Sequence, residues 1–171
     1  MVFQEQREWD VHFMEIALGE ARTAFQKKEV PVGAFLVKEN RIVSAAYNRV
    51  EELQDVTAHA ELLCLREGSH RIGNWRLSET TLYVTLEPCS MCLGAILLAR
   101  VRRLVWAAKD LRHGALGSWV NLLEKKHPTH ALEVEKEVLE KESSLLLKKF
   151  FKLRREEKNG ESVCGCRAHA R

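Results

Sequence analysis

The chain has 171 residues, of which 46% are hydrophobic, and a formal net charge of +3. This length suits a single domain with a core of its own. The sequence shows neither an apolar stretch of membrane-spanning length nor a signal-peptide pattern, so we expect a cytoplasmic protein that contacts no membrane. The cysteines number five, which is odd, and their spacing is not that of a disulfide scaffold.

The charge is distributed unevenly along the chain. Residues 1–99 contain 10 Lys and Arg against 14 Asp and Glu, whereas residues 100–171 contain 17 against 10. A basic second half is compatible with a polyanionic partner such as RNA. A solvated surface whose charges balance in three dimensions would give the same counts, so charge alone leaves both interpretations open.

Hydrophobic periodicity predicts five strands and four helices. The Val30-Pro31 pair is expected to end the first helix. Thr57 is a candidate N-cap and Gly68 a candidate stop for the second helix. In chain order the predicted elements are a helix over 4–29, strands over 33–37 and 41–47, a polar loop over 51–56, a helix over 57–68, a strand over 81–86, a helix over 89–99, strands over 103–107 and 132–135, and a helix over 138–157.

A Pro-Cys-x-x-Cys motif follows the third predicted strand. Pro88 fits the first position of a helix, which would put Cys89 and Cys92 on one face of its first turn. The positive end of a helix favours thiolates, and two thiolates at this spacing are half of a zinc site. A redox pair is the alternative for an intracellular Cys-x-x-Cys, although no thioredoxin-like pattern surrounds it.

A His-x-Glu motif near the start of the preceding helix predicts the other half of the site. His59 and Glu61 are two residues apart, so in a regular helix they point in different directions. This spacing suits a division of roles in which His59 binds the metal and Glu61 serves as acid and base over an open fourth position. Three protein ligands plus water is the pattern of a catalytic zinc. A lone His here would more often be a cap, but the two motifs together favour zinc.

The His-x-Glu and Pro-Cys-x-x-Cys signature is that of zinc nucleobase deaminases. From about Trp9 to Arg155 the chain resembles the bacterial tRNA-specific adenosine deaminases, a family of the cytidine deaminase-like superfamily. The segments that carry the resemblance are Val-Pro-Val-Gly-Ala at 30–34, Tyr-Asn-Arg at 47–49, Thr-Ala-His-Ala-Glu at 57–61, Thr-Leu-Tyr-Val-Thr-Leu-Glu-Pro-Cys at 81–89, Met-Cys at 91–92 and Phe-Phe-Lys-Leu-Arg-Arg at 150–155.

Two positions depart from the family pattern. Val56 stands where the family commonly has proline, which should leave the loop before the zinc helix less rigid. Leu93 replaces a residue that is usually small, so packing around the second zinc helix is expected to differ. Neither departure touches the predicted metal ligands.

The resemblance implies a fold, a reaction and a set of partners. We expect a three-layer α/β/α domain over residues 1–158, with helices on both faces of a five-stranded mixed sheet, followed by a disordered tail over 159–171. One Zn²⁺ per subunit is implied, with no organic cofactor. The implied reaction is attack of a zinc-activated water on C6 of the wobble adenosine in a tRNA anticodon stem-loop, which yields inosine. Glu61 would transfer the protons.

The resemblance also implies residues that contact the substrate. Asn48 matches the family's residue that holds the nucleoside, and the other implied substrate contacts are Val30, Pro31 and Ala60. Cations mixed with aromatic rings at the end of the last helix suit a single-stranded RNA loop. The RNA contacts that we expect are Asp110, Arg112, Phe150, Phe151, Arg154 and Arg155.

The helix after Cys89 is apolar on more than one face, which predicts a subunit interface, and members of the family are homodimers. In the tail, Cys164, Cys166 and His169 could bind a soft metal, although adventitious binding is the simpler interpretation. Two other functions stay open. A free-base or nucleoside deaminase acting on cytosine, guanine or cytidine would share every metal residue. A non-catalytic, zinc-stabilised RNA-binding module would not need Glu61.

Overall fold

The computed structural model of the chain describes residues 2–164, and the side chains of residues 4–159. The elements are α1 (Val2–Gln26), β1 (Gly33–Lys38), β2 (Arg41–Tyr47), α2 (Val50–Leu53), α3 (Ala60–Ile72), β3 (Thr80–Leu86), α4 (Ser90–Leu98), β4 (Arg103–Ala108), β5 (Glu133–Glu135) and α5 (Glu140–Cys164). None of the described helices is both long and apolar enough to cross a membrane.

The five strands form one mixed sheet in the order β2-β1-β3-β4-β5. Strand β1 pairs antiparallel with both β2 and β3, whereas β3–β4 and β4–β5 are parallel. The inner strands β1, β3 and β4 are nearly continuous apolar runs, which is typical of strands that are covered on both faces. The predicted five-stranded mixed sheet is therefore confirmed.

Each face of the sheet carries its own core. On one face α3 and α4 pack through Leu65, Leu93 and Ile96 against strand residues such as Leu36 and Leu82. On the other face α1 packs its Phe13, Met14 and Ala17 against Phe35 and Tyr83, and α5 joins it where Phe150 meets Phe25. This arrangement confirms the predicted α/β/α layers.

Gly33 lets α1 lie directly on the start of β1. A Cβ atom at this position would overlap the carbonyl oxygen of Ala17 and lie 2.6 Å from the Ala21 nitrogen. Because only glycine fits there, the backbone of α1 can contact the backbone of β1 at the point where the chain enters the sheet. The Gly33 N–H also donates to Thr85 Oγ1 at 3.1 Å, which ties the start of β1 to the end of β3.

The boundaries of α3 differ from those predicted. Its N-cap is His59 instead of Thr57, and the helix continues through Gly68 to Ile72, where Gly73 with φ 69° ends it. Gly68 does not end the helix. A Cβ there would lie 2.5 Å from Leu36 Cδ2 and 3.1 Å from Ser44 Oγ, so glycine allows the helix to approach the sheet without moving these side chains. A glycine that serves close packing and a glycine that ends a helix look alike in sequence.

Three further boundaries were mispredicted. Helix α4 begins at Ser90 with Cys89 as N-cap, so Pro88 lies just before the helix and not at its first position. The first three residues of the polar loop predicted over 51–56 belong to the short helix α2 (Val50–Leu53). Helix α5 continues to Cys164, beyond the predicted helix end at residue 157. Cys166, His169 and the Cys164 side chain lie outside the described residues.

Candidate active site

One edge of the sheet gathers the predicted functional segments. Because β1 is antiparallel to β3, its start lies beside the end of β3, where Ala34 pairs with Val84. Gly33 in turn pairs with Tyr47 at the end of β2. The segments that leave this edge are the Val30-Pro31 turn, Asn48 after β2 and Cys89 after β3. The sheet topology thus brings together segments that are 17 to 59 residues apart.

His59, Cys89 and Cys92 form a compact group of three metal-ligating side chains, with their ligand atoms within 4.8 Å of one another. His59 Nδ1 lies 3.7 Å from Cys89 Sγ and 3.4 Å from Cys92 Sγ. A tetrahedral zinc with bonds of about 2.0–2.3 Å needs donor atoms roughly 3.5–3.8 Å apart, so the group fits zinc. The structure brings all three predicted ligands together, at the N-termini of two neighbouring helices.

The thiols of this group have strongly divergent pKa values. Hydrogen bonds from the Cys92 thiol and from His59 lower the pKa of Cys89 to about 4. The bond to Cys89 and burial raise the pKa of Cys92 far above its usual range. The two pKa values move in opposite directions because the same hydrogen bond joins the two sulfurs. The hydrogen bond to Cys89 also raises the pKa of His59. The site therefore holds a thiolate that favours a cation.

Glu61 lies in the first turn of α3 and is only 4% exposed. Burial raises the pKa of its carboxyl group, and Cys92 and His59 are close enough to act on it. A buried carboxyl with a raised pKa beside a metal-binding group is suited to accept and return a proton near neutral pH. Its position agrees with the predicted separation from His59.

Backbone hydrogen bonds connect the segment of Asn48 both to the Val30-Pro31 turn and to the segment that carries His59. Asn48 is 6% exposed, and its backbone N–H donates to the Val32 carbonyl at 3.0 Å, beside the Val30-Pro31 turn. The next residue, Arg49, donates its N–H to Ala58, which precedes His59. Ala60, in contrast with the predicted substrate contact, is fully buried and packs in the core beneath the site.

Two buried carboxylates at this edge were missed from the sequence. Glu29 is 1% exposed and accepts from Asn48 Nδ2 at 3.1 Å and from the N–H groups of Glu51 and Glu52. Glu87 is 2% exposed and accepts from the N–H groups of Asp110, Leu116 and Ser118. An acidic residue directly before an apolar turn or a proline is the only signal that the sequence offers for either.

Glu87 holds the loop after β4 against the metal ligands. Gly114 of this loop pairs with Cys89, and Ala115 donates its N–H to the Pro88 carbonyl at 2.9 Å. A Cβ atom at Gly114 would lie 2.5 Å from Glu87 Cδ, so glycine is required for this approach. The loop residues predicted to meet RNA are therefore beside the site.

The two RNA candidates on this loop have different roles in the structure. Asp110 Oδ1 accepts the N–H groups of Arg112 and His113 at 3.0 and 3.2 Å, so its carboxylate closes a turn of the loop. Arg112 is exposed, and its side chain is available to a partner. The Asp110 carboxylate therefore stabilises the conformation of the loop, in addition to its predicted contact with RNA.

The two aromatic residues of α5 that are predicted to contact RNA differ in their exposure. Phe150 is 6% exposed and packs edge-to-face on Phe25, with ring centroids 5.8 Å apart, so its ring faces the core and cannot stack on a base. Phe151 is 43% exposed and Arg155 is exposed. Arg154 forms an ion pair with Glu157 at 2.9 Å. The predicted RNA contact at Phe150 is thus replaced by a packing role.

The site geometry agrees with comparisons to known proteins. Residues 7–108 match the family described as the cytidine and deoxycytidylate deaminase zinc-binding region. The chain is 46% identical over 143 residues to the tRNA-specific adenosine deaminase of Aquifex aeolicus (strain VF5). This match covers 84% of this chain and 95% of that protein. It is 49% identical over 166 residues to the chloroplastic tRNA(adenine(34)) deaminase of Arabidopsis thaliana, covering 88% of this chain but 13% of that protein.

A comparison with solved structures agrees with these sequence matches. A solved structure from studies of A-to-I editing by tRNA:A34 deaminases at the wobble position of transfer RNA is 46% identical, with a TM-score of 0.76. The match covers 80% of this chain and 99% of that chain. The chain belongs to the cytidine and deoxycytidylate deaminase zinc-binding family and, within it, to the tRNA-specific adenosine deaminases.

Proposed function

We propose that the protein deaminates the wobble adenosine of a tRNA anticodon loop to inosine. The observation that carries the proposal is the convergence of His59, Cys89 and Cys92 beside the buried Glu61, in a chain that is 46% identical to a tRNA-specific adenosine deaminase. A target base must be unstacked to enter such a site, and a single-stranded loop allows this at low cost.

The side chains of the site have distinct roles in this reaction. His59, Cys89 and Cys92 would hold a zinc ion, which would supply the Lewis acidity that makes water a nucleophile near neutral pH. Glu61 takes a proton from the attacking water, delivers it to the ring nitrogen and then assists the loss of ammonia. Adenine thereby loses its exocyclic amine and gains the water oxygen at C6. The raised pKa of Glu61 suits a group that must hold the proton between these steps.

The proposed RNA-binding surface consists of Arg112 in the loop after β4 and of Phe151 and Arg155 on α5. The exposed side chains of Arg112, Phe151 and Arg155 support it, because cations meet phosphates and a ring stacks on an unpaired base. One zinc ion per subunit and a homodimer complete the proposal. Leu98 of α4 is 67% exposed, whereas Leu93 and Ile96 are buried, which leaves an apolar side chain for a second subunit. We propose the cytoplasm as the location.

The test is substrate competition. Purified protein is incubated with an anticodon stem-loop bearing a wobble adenosine, and separately with adenosine, cytidine, cytosine and guanine, and the products are identified by mass. Inosine from the stem-loop alone is the expected result. Product from a free base or nucleoside, with the RNA unchanged, would replace the proposed substrate with a small molecule. No product from any substrate, despite bound zinc, would favour the non-catalytic RNA-binding module.

A further inference from the structure

Glu29 is a buried carboxylate that accepts three hydrogen bonds. It lies between α1 and the Val30-Pro31 turn and is 1% exposed. Its Oε1 accepts the Glu52 N–H at 2.7 Å, and its Oε2 accepts Asn48 Nδ2 at 3.1 Å and the Glu51 N–H at 3.3 Å. No Lys or Arg among residues 4–159 forms an ion pair with it. These three donors are therefore what offsets the cost of burying the charge.

This arrangement dictates which end of the Asn48 amide faces Glu29. A carboxylate can only accept hydrogen bonds, so the NH₂ group of Asn48 must point towards it. The backbone around Asn48 is fixed as well, because Asn48 N donates to Val32 and Arg49 N donates to Ala58. Within the described side chains, no group donates to Asn48 Oδ1. The amide oxygen is therefore the acceptor that Asn48 has left to offer a ligand, beside the second N–H of its NH₂ group.

We propose that Glu29 is a positioning residue that fixes the Asn48 amide so that the site presents a hydrogen-bond acceptor to an N–H or O–H donor of the substrate nucleoside. The inference rests on the proposed function, in which Asn48 contacts that nucleoside. Without Glu29, both amide orientations become accessible, and the inverted one presents a donor to a donor. Glu29 thus acts on substrate recognition without touching the substrate.

The two oxygens of Glu29 make a diagnostic exchange possible. In E29Q, an amide that keeps its oxygen on the Glu52 N–H turns its NH₂ towards residue 48, where it faces the NH₂ of Asn48. In N48D, two carboxylates face each other. In the double variant E29Q/N48D, the new amide donates to the new carboxylate, whose second oxygen still offers an acceptor to the substrate. Each single change is therefore disruptive, and the pair restores the hydrogen bond between residues 29 and 48, at the cost of the longer bond from the Glu51 N–H.

The expected result is rescue. With the wobble-adenosine stem-loop, E29Q and N48D should each lower kcat/KM by roughly 10- to 100-fold, the value of one hydrogen bond to a charged group. The double variant should recover at least about tenfold over N48D, whereas independent effects would multiply. The matched control is E87Q, which alters the other buried carboxylate of this edge without contact to Asn48. E87Q/N48D should show no rescue. Thermal unfolding of each variant identifies any loss of fold.

Three results would overturn the inference. Multiplicative losses in E29Q/N48D with folded, zinc-loaded protein would mean that Glu29 does not act through Asn48. Equal rescue by E87Q would mean a general charge effect at this edge. A double variant that unfolds below assay temperature while N48D stays folded would assign Glu29 to stability alone. Absence of inosine from the unsubstituted protein is a separate result, which would overturn the proposed function and this inference with it.

Discussion

Two buried polar clusters lie at opposite edges of the same sheet, and they differ in how their charges are balanced. At the edge where β3 begins, Arg103 donates to Asp10 through two hydrogen bonds of 2.6 and 2.8 Å, and Tyr83 donates to the same carboxylate at 2.9 Å. At the other edge, His59, Cys89 and Cys92 meet beside Glu61, and the described residues supply no partner of opposite charge for the Cys89 thiolate beyond His59.

The difference teaches that burial of polar groups does not by itself identify a functional site. The Asp10–Tyr83–Arg103 cluster is complete, because one guanidinium and one hydroxyl satisfy one carboxylate. The cluster at the ends of α3 and α4 is incomplete, because two thiols, an imidazole and a carboxyl group compete for protons. A group of N and S atoms without a cationic partner can bind a metal ion, and such binding releases the protons for which these groups compete.

The largest expected effect comes from Glu61→Gln. It removes the group that transfers protons but none of the metal ligands, so kcat should fall by about 10²- to 10⁴-fold while zinc content stays unchanged. Inosine formation and metal analysis of the same preparation measure both. His59→Ala is the contrasting variant, which should lose zinc and activity together. Full turnover by Glu61→Gln would remove Glu61 from the proposed mechanism.

Asp10→Ala should show the opposite pattern. It leaves the half-buried Arg103 guanidinium and the Tyr83 hydroxyl without their acceptor, so the free energy of unfolding should fall by about 2 kcal/mol. For a chain of this size, Tm should fall by roughly 4–8 °C. Zinc content and kcat at a temperature below unfolding should be unchanged. A loss of turnover without a loss of Tm would contradict a purely structural role for this cluster.

The thiols should differ in their pH dependence after zinc is removed. Since Cys89 has its pKa lowered to about 4, it is a thiolate throughout the neutral range. Its alkylation rate should be nearly constant from about pH 6 to pH 8, whereas an ordinary thiol gains roughly tenfold per pH unit there. Burial raises the pKa of Cys64 to about 12, so Cys64 should stay unmodified in folded protein. Peptide mass mapping separates the sites, and circular dichroism checks the fold.

The smallest expected effect concerns the proposed RNA surface. Arg155→Gln removes one exposed cation from α5, so the slope of log affinity against log salt should become shallower by about 0.7. The matched control is Arg41→Gln, which removes an exposed cation at the start of β2, at the sheet edge away from the site. Binding of the stem-loop to the Glu61→Gln variant measures affinity without turnover. Equal slopes for both substitutions would remove Arg155 from the RNA surface.

The three residues of the metal-ligating group could be identified from sequence because zinc binding requires fixed residue types at fixed spacing. His59, Cys89 and Cys92 each lie at a helix start, where local sequence alone indicates the geometry. The strand order was not needed for this prediction. It was needed to bring Asn48 and the Val30-Pro31 turn to the same edge, which the register of β1 with β2 and β3 shows.

Other features could not be predicted because they depend on contacts between distant segments. Glu29 bonds to residues 19 to 23 positions away, and Glu87 to residues 23 to 31 positions away, with no periodic pattern in either case. The sequence predicts an RNA contact at Phe150 because an aromatic ring among cations suits stacking on a base. The same pattern also suits packing of the ring in the core. Only its contact with Phe25 in α1 decides between the two.

The most direct test of the incomplete cluster as a hydrolytic site uses water that carries a heavy oxygen isotope. The zinc-loaded protein and its Glu61→Gln variant are incubated in this water with the wobble-adenosine stem-loop, and the released nucleosides are weighed. We expect inosine with a heavy oxygen atom from the unsubstituted protein and almost none from the variant. Inosine without the label, or equal inosine from both proteins, would contradict water attack assisted by Glu61 at this site.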